Sequence, residues 1–178
     1  KLKEIHHELK LSLIYVTHDQ IEALTFADQV VVMTEGEVVQ VGSAQALFEA
    51  PEHTFVGYFI GNPGMNLLPC QLEGGYVRLA GVQAALPAPA GLPADGTLTL
   101  GIRPEYVDCA TTASAGALPA RVIKARDMGT HWLVDCQLGE QRVAAKPRTL
   151  HAINEGDAVW LSLPPDRTLY YVNDKRVA

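Results

Sequence analysis

The sequence predicts two unlike parts, an α/β segment over residues 1–62 and an all-β domain of barrel type over residues 63–178. Three observations predict this. Short β-branched runs alternate with helical spacing in the first third of the chain. Asn62-Pro63-Gly64 then breaks the pattern. Beyond it only strand-like runs remain, separated by glycine- and proline-rich turns.

In the first part, Leu2, Ile5 and Leu9 recur at helical spacing among lysines and glutamates. Leu13-Ile14-Tyr15-Val16 then reads as a strand covered on both faces. Asp19 and Glu22 stand at capping-box spacing, so a helix carrying Ile21, Leu24 and Ala27 is expected to end near Asp28. Val30-Val31-Val32-Met33 reads as a second buried strand. Glu35-Gly36 is a two-residue hairpin turn, and Val38 to Val41 returns from it. Ser43 suits the cap of a short helix that stops before Pro51. Phe55, Phe59 and Ile60 give one further amphipathic turn.

In the second part, Leu67 to Leu72 and Tyr76 to Leu79 flank Gly74-Gly75 as a hairpin. Further strands are expected over residues 97–100, 121–125, 132–138, 141–145, 158–163 and 169–172. The Ala/Pro/Gly stretches 84–95 and 110–119 read as surface loops.

Composition narrows the classes of function. Of 178 residues, 48% are hydrophobic and 19% charged, a globular balance. The net charge is −6, with three Lys/Arg against nine Asp/Glu in residues 1–64 and eleven of each beyond. Neither part offers the basic excess that a phosphate backbone requires, so nucleic acid is not an expected partner. Cys70, Cys109 and Cys136 form no C-x-x-C pair; free, buried thiols are expected. No apolar run approaches the ~20 residues of a helical membrane span, so any service to a membrane would be by docking.

The most informative segment is Tyr15-Val16-Thr17-His18-Asp19-Gln20, followed by Glu22-Ala23 and Ala27-Asp28. His18 stands at the carboxyl end of a strand-like run, where open α/β sheets place their ligands. An imidazole there can donate to a terminal phosphate oxygen and help position an attacking water. Together with Val30 to Met33, the Glu35-Gly36 turn, Phe59-Ile60-Gly61, Pro63, Met65-Asn66 and Leu100-Gly101-Ile102-Arg103-Pro104-Glu105, the segment closely resembles ABC importer ATPases of the maltose and glycerol-phosphate type. The resemblance covers nearly the whole chain.

That resemblance implies that residues 1–62 are the later part of an ABC nucleotide-binding domain and that His18 is the switch histidine contacting the ATP γ-phosphate. It implies an OB-like (TOBE-type) regulatory barrel over 63–178, a homodimer, and permease partners in the membrane. The place of work would be the cytoplasmic face of the bacterial inner membrane. ATP and Mg²⁺ would be the cofactors of a full-length subunit importing a sugar, glycerol or glycerol phosphate. No G-x-x-x-x-G-K-[ST] loop occurs in the sequence, so truncation is expected, and with it a piece that neither holds ATP nor hydrolyses it alone.

Two rivals stay open: a barrel that captures a regulatory protein or small effector, and a single-strand nucleic-acid binder, which near-neutral charge and few strand aromatics disfavour. Other residues have plainer expectations. His6-His7 is a solvated helix face, and Asp28 caps or pairs locally. Arg103 and Glu105 form a strand-end ion pair. Phe55, Tyr58 and Phe59 pack between the two parts, and Trp132 and Trp160 are core.

Overall fold

A computed structural model describes residues 12–147 and 153–178. The expected first helix, with Leu2, Ile5, Leu9 and the His6-His7 pair, lies outside the described residues.

From Leu13 to Val16 the chain is not a strand. It pairs with nothing among the described residues, and Ile14 and Val16 are 90% and 89% exposed. A β-branched run becomes a strand only where a neighbour accepts its ladder hydrogen bonds, and none of the described residues does so for this one.

Helix α1 (Gln20–Phe26) follows, capped by Asp19, whose Oδ1 accepts from the Ile21 and Glu22 N–H groups at 2.8 and 3.1 Å. The expected reciprocal bond from Glu22 is absent. The Asp19 N–H already donates to Thr17 Oγ1, and the Glu22 carboxylate accepts instead from Thr17 Oγ1 and the Tyr15 hydroxyl.

Strands β1 (Val30–Thr34) and β2 (Glu37–Gly42) form an isolated antiparallel hairpin. Its turn is the expected one, with Glu35 at φ 50° and Gly36 at φ 84°, the two positive φ values of a tight hairpin. The reading of β1 as fully buried does not hold. Val32 is buried, whereas Val31 and Met33 face outward, because the hairpin has cover on one side only.

Helix α2 (Ala44–Glu49) is capped by Ser43 and helix α3 (Thr54–Phe59) by His53. With β1 they enclose a small core of Val32, Leu47, Val56 and Ile60.

The rest is β. Strands β3 (Asn66–Glu73), β4 (Tyr76–Leu79), β5 (Ala85–Pro87), β6 (Leu98–Ile102), β12 (Thr168–Val172) and β13 (Lys175–Arg176) make a six-stranded sheet in the order β13-β12-β6-β3-β4-β5. Strands β7 (Asp108–Ala110), β8 (Leu118–Asp127), β9 (Trp132–Leu138), β10 (Gln141–Ala145) and β11 (Ala158–Ser162) make a five-stranded sheet in the order β10-β9-β8-β11-β7. Each described pairing is antiparallel.

The two sheets enclose the main core, in which Leu68, Leu100, Ile102, Val134, Leu138 and Leu161 are fully enclosed. Side chains stitch the sheets at one edge. The Asn66 amide bonds both the N–H and the C=O of Ala144, at 2.8 and 2.9 Å, and Gln141 donates to the Pro69 carbonyl at 2.8 Å. These bonds satisfy backbone groups of the edge strand β10 and of Pro69 in the stretch of β3 that β4 does not reach, which would otherwise be open to another chain.

Two smaller expectations also change. The stretch 84–95 contains β5, and Trp160 is only half-buried. Period-two alternation points Val159 and Leu161 into the core, so Trp160 between them must face outward. Trp132 packs against the core edge.

Candidate functional site: the His18 turn and its junction with the barrel

His18 sits at a bend immediately before the Asp19 cap and is exposed. Its neighbours fix the bend. Thr17 Oγ1 accepts from Asp19 N–H at 3.0 Å and donates to Glu22 at 3.1 Å, so the two residues flanking the histidine are tied into the first turn of α1. The Tyr15 hydroxyl donates to the same carboxylate, which raises the tyrosine pKa. The imidazole has no hydrogen-bond partner among the described residues. An exposed ring on a bend braced from both sides is free to meet a ligand presented from outside.

The turn is also connected to the barrel. Gln20 Oε1 accepts from the Gly61 N–H at 3.3 Å, just past the end of α3. The adjacent Ile60 carbonyl accepts from Arg103 Nη1. Arg103, 2% exposed, follows β6 directly. It also donates from Nη1 to the Gly57 carbonyl (2.8 Å), from Nε to the Phe48 carbonyl (2.9 Å) and from Nη2 to the Leu47 carbonyl (3.4 Å). Its guanidinium lies 4.2 Å from the centre of the Phe48 ring.

These acceptors are carbonyls at the C-terminal ends of α2 and α3, where the helices leave groups unpaired and the helix dipole favours a cation. Burial lowers the Arg103 pKa to about 10, so the group remains a cation at neutral pH. The expected Arg103–Glu105 ion pair is therefore not formed. Glu105 pairs with Lys146 at 2.6 Å, and Lys146 also donates to the Asn62 carbonyl at 2.9 Å.

The far side of α3 is fixed as well. Thr54 Oγ1 donates to Asp174 at 2.6 Å, and the Tyr171 hydroxyl donates to the Pro51 carbonyl at 3.0 Å. Helices α2 and α3 are thus bolted to the end of the six-stranded sheet. Phe55 and Phe59 stack at 5.5 Å, and Phe55 packs on the small core, while Tyr58 is exposed.

Between the Gly61 turn and the outer face of β8-β9-β10 lies a groove of about 780 Å³. Gln20, Tyr58, Phe59, Lys124 and Arg142 are among the residues lining it. The three cysteines are free, Cys109 and Cys136 being buried. Among the described residues no His/Cys/Asp/Glu cluster is arranged to hold a metal, and no helix is long and apolar enough to cross a membrane.

Sequence reasoning singled out His18 but missed Gln20, Arg103 as a helix anchor, and Lys146. Gly61 and Pro63 marked the turn that both Gln20 and Arg103 reach, but nothing in the sequence beside Gln20 tied it to that turn.

Residues 61–107 match the MalK OB fold domain, and residues 100–170 match the TOBE domain. Residues 61–170 are a MalK-type OB and TOBE unit. Homology extends further. An ABC transporter ATP-binding protein of Sinorhizobium fredii, y4oS, is 36% identical over 170 residues, 91% of this chain and 44% of that protein. The sn-glycerol-3-phosphate import ATP-binding protein UgpC of Vibrio vulnificus is 40% identical over 134 residues, 75% of this chain and 36% of that protein. UgpC of Escherichia coli O157:H7 is 36% identical over 171 residues, 94% of this chain and 48% of that protein. The chain is therefore homologous over most of its length to ATP-binding subunits of ABC importers, and it spans less than half the length of these relatives.

Proposed function

We propose that this chain is part of the ATP-hydrolysing subunit of an ABC importer for a small polar solute: a sugar, glycerol or glycerol phosphate. Residues 1–62 would belong to its α/β nucleotide-binding domain and residues 63–178 to its regulatory barrel. The observation that carries the reading is homology that runs through the His18 segment as well as through the OB/TOBE unit.

In this reading His18 is the switch histidine, donating to the γ-phosphate. Its exposure on a braced bend, with the ring unengaged, fits that task. The bound nucleotide supplies the reacting phosphate; the chain's contribution is to hold one hydrogen-bond donor at a fixed place. No phosphate-cradling loop occurs in the sequence, so the nucleotide's other contacts, and those of Mg²⁺, are assigned to no residue here. The subunit would work as a homodimer on permease subunits at the cytoplasmic face of the inner membrane.

The test is His18→Ala in a full-length subunit carrying this segment. Turnover should fall at least roughly tenfold while nucleotide KM stays near its starting value, since the lost bond acts on the transferring phosphate. Unchanged turnover in the assembled transporter would remove His18 from the role.

The groove favours a second reading alongside the first, a barrel that takes an anionic effector. Lys124 and Arg142 line it beside the rings of Tyr58 and Phe59, and the carboxylate in the same lining, Asp135, is paired with Arg126 at 2.7 Å. Chemical-shift titration with inorganic phosphate and with glycerol 3-phosphate tests this, and shifts confined to other surfaces would reject it.

A further inference from the structure

Gln20 and Arg103 grip opposite ends of one peptide group. The peptide linking Ile60 to Gly61 presents its carbonyl to Arg103 Nη1 and its N–H to Gln20 Oε1. Arg103 belongs to the barrel, where its own backbone continues β6. Gln20 opens α1 two residues after His18. A peptide group is planar and nearly rigid, so its two ends cannot turn independently. Any displacement that rotates this peptide on the Arg103 side reorients the N–H on which Gln20 depends.

Space around the turn is tight as well. Gly61 has φ +119°, and a Cβ built there would lie 3.0 Å from Arg103 Nη1 and 3.3 Å from the Pro63 carbonyl oxygen. Few compensating movements are open to the turn.

On the other side, the His18 bend has little freedom relative to Gln20. The Asp19 cap and the Thr17 bonds tie residues 17 to 22 into one local unit. No residue of α1 is fully buried, and its one contact with the small core among the described residues is the half-buried Leu24, an apolar contact that fixes no orientation. Among the described residues, its side-chain hydrogen bond to the rest of the molecule is the one that Gln20 accepts from Gly61.

We propose that Gln20 is a positioning residue, which sets the place of the His18 bend according to the state of the barrel through the Ile60–Gly61 peptide and Arg103. The significance for nucleotide chemistry rests on the reading of His18 given above; the mechanical link does not. The barrel then acts on the His18 turn through two hydrogen bonds, and this directional link is severed by removing a single side-chain amide, with only the apolar Leu24 contact left between α1 and the small core.

The test uses the 178-residue chain, isotope-labelled, without nucleotide, so that its outcome is independent of ATP chemistry. Gln20→Ala should make the Gly61 amide exchange with solvent roughly threefold to tenfold faster, the effect of losing one net hydrogen bond. Arg103→Lys, a change in the barrel, should shift the His18 ring resonances in the parent chain. It should no longer do so in the Gln20→Ala background, although the Gly61 signal still moves. Gln20→Glu, which keeps an acceptor oxygen at the same reach, should restore the response. If Arg103→Lys releases α2 and α3, Phe48→Leu perturbs the guanidinium while leaving its carbonyl bonds. A His18 response of equal size with and without the Gln20 amide would overturn the proposal. So would a Gly61 response that never reaches His18 in the parent chain.

Discussion

Arg103 shows how one side chain joins two bodies of structure. A buried guanidinium normally faces a carboxylate, but here four carbonyls from two helix ends share the charge and Phe48 covers its face. Removing it leaves several buried acceptors without donors, so Arg103→Leu should destabilise the chain by about 3 kcal/mol. Arg103→Lys keeps the charge and part of the bonding, and should cost about 1 kcal/mol. Urea midpoints at constant m-value measure both, and a leucine variant of parent stability would refute the anchoring role.

Cys70 gives a pH-dependent prediction at the same scale. Burial raises its thiol pKa to about 11 from an ordinary 9.0, with a bond to the Leu98 carbonyl at 3.7 Å. The folded state therefore holds its proton longer than the unfolded state. The associated stability is complete below pH 9 and is lost as pH rises from 9 to 11. Cys70→Ala should flatten the decline in melting temperature across that window relative to the parent chain. Parallel curves would show that the thiol does not contribute.

At the scale of the element, the short helices depend on their caps more than on propensity. Helix α1 has seven residues, none of them buried, which is shorter than an isolated helix can sustain in water. Its Asp19 cap supplies two of its bonds, so Asp19→Ala should cost the helix about 1 kcal/mol. Amide exchange of residues 20–26 should accelerate while the barrel amides remain unchanged. Acceleration spread equally over the sheets would mean that α1 is coupled to the whole fold. Strand behaviour follows the same dependence on context. Residues 13–16 have the composition of a strand and no partner among the described residues, whereas β1, of similar composition, finds β2 two residues away and pairs.

For the whole molecule, the distribution of contacts predicts an order of loss. Residues 12–19 form no helix or strand and all but Thr17 are exposed, and α1 touches the small core through Leu24 alone, whereas α2 and α3 are fixed to the barrel by Arg103, Thr54 and Tyr171. Limited proteolysis should cut first before β1 and leave a protected core containing α2, α3 and both sheets. Light scattering should give the mass of two chains if the proposed importer subunit dimerises through this part of it. A barrel digested before residues 12–26, or a strict monomer at tens of micromolar, would contradict this picture.

The sequence by itself determined whatever depends on neighbours a few residues apart. It marked the Asp19 and Ser43 caps, the Glu35-Gly36 and Gly74-Gly75 turns, the succession of strands after Asn62, and His18 as the candidate residue. Such features follow from backbone geometry and local hydrogen bonding, which a short stretch of chain specifies. Tertiary structure alone decided which polar groups meet across long separations. An arginine that reads as half of an ion pair with Glu105 instead serves carbonyls 43 to 56 residues earlier. A glutamine that reads as part of a motif reaches a glycine 41 residues away. Tertiary structure also gave Leu13 to Val16 no strand partner among the described residues and turned Trp160 outward. A strand is completed by its partner and a buried charge by its acceptors, and neither partner is visible from the residue that needs it.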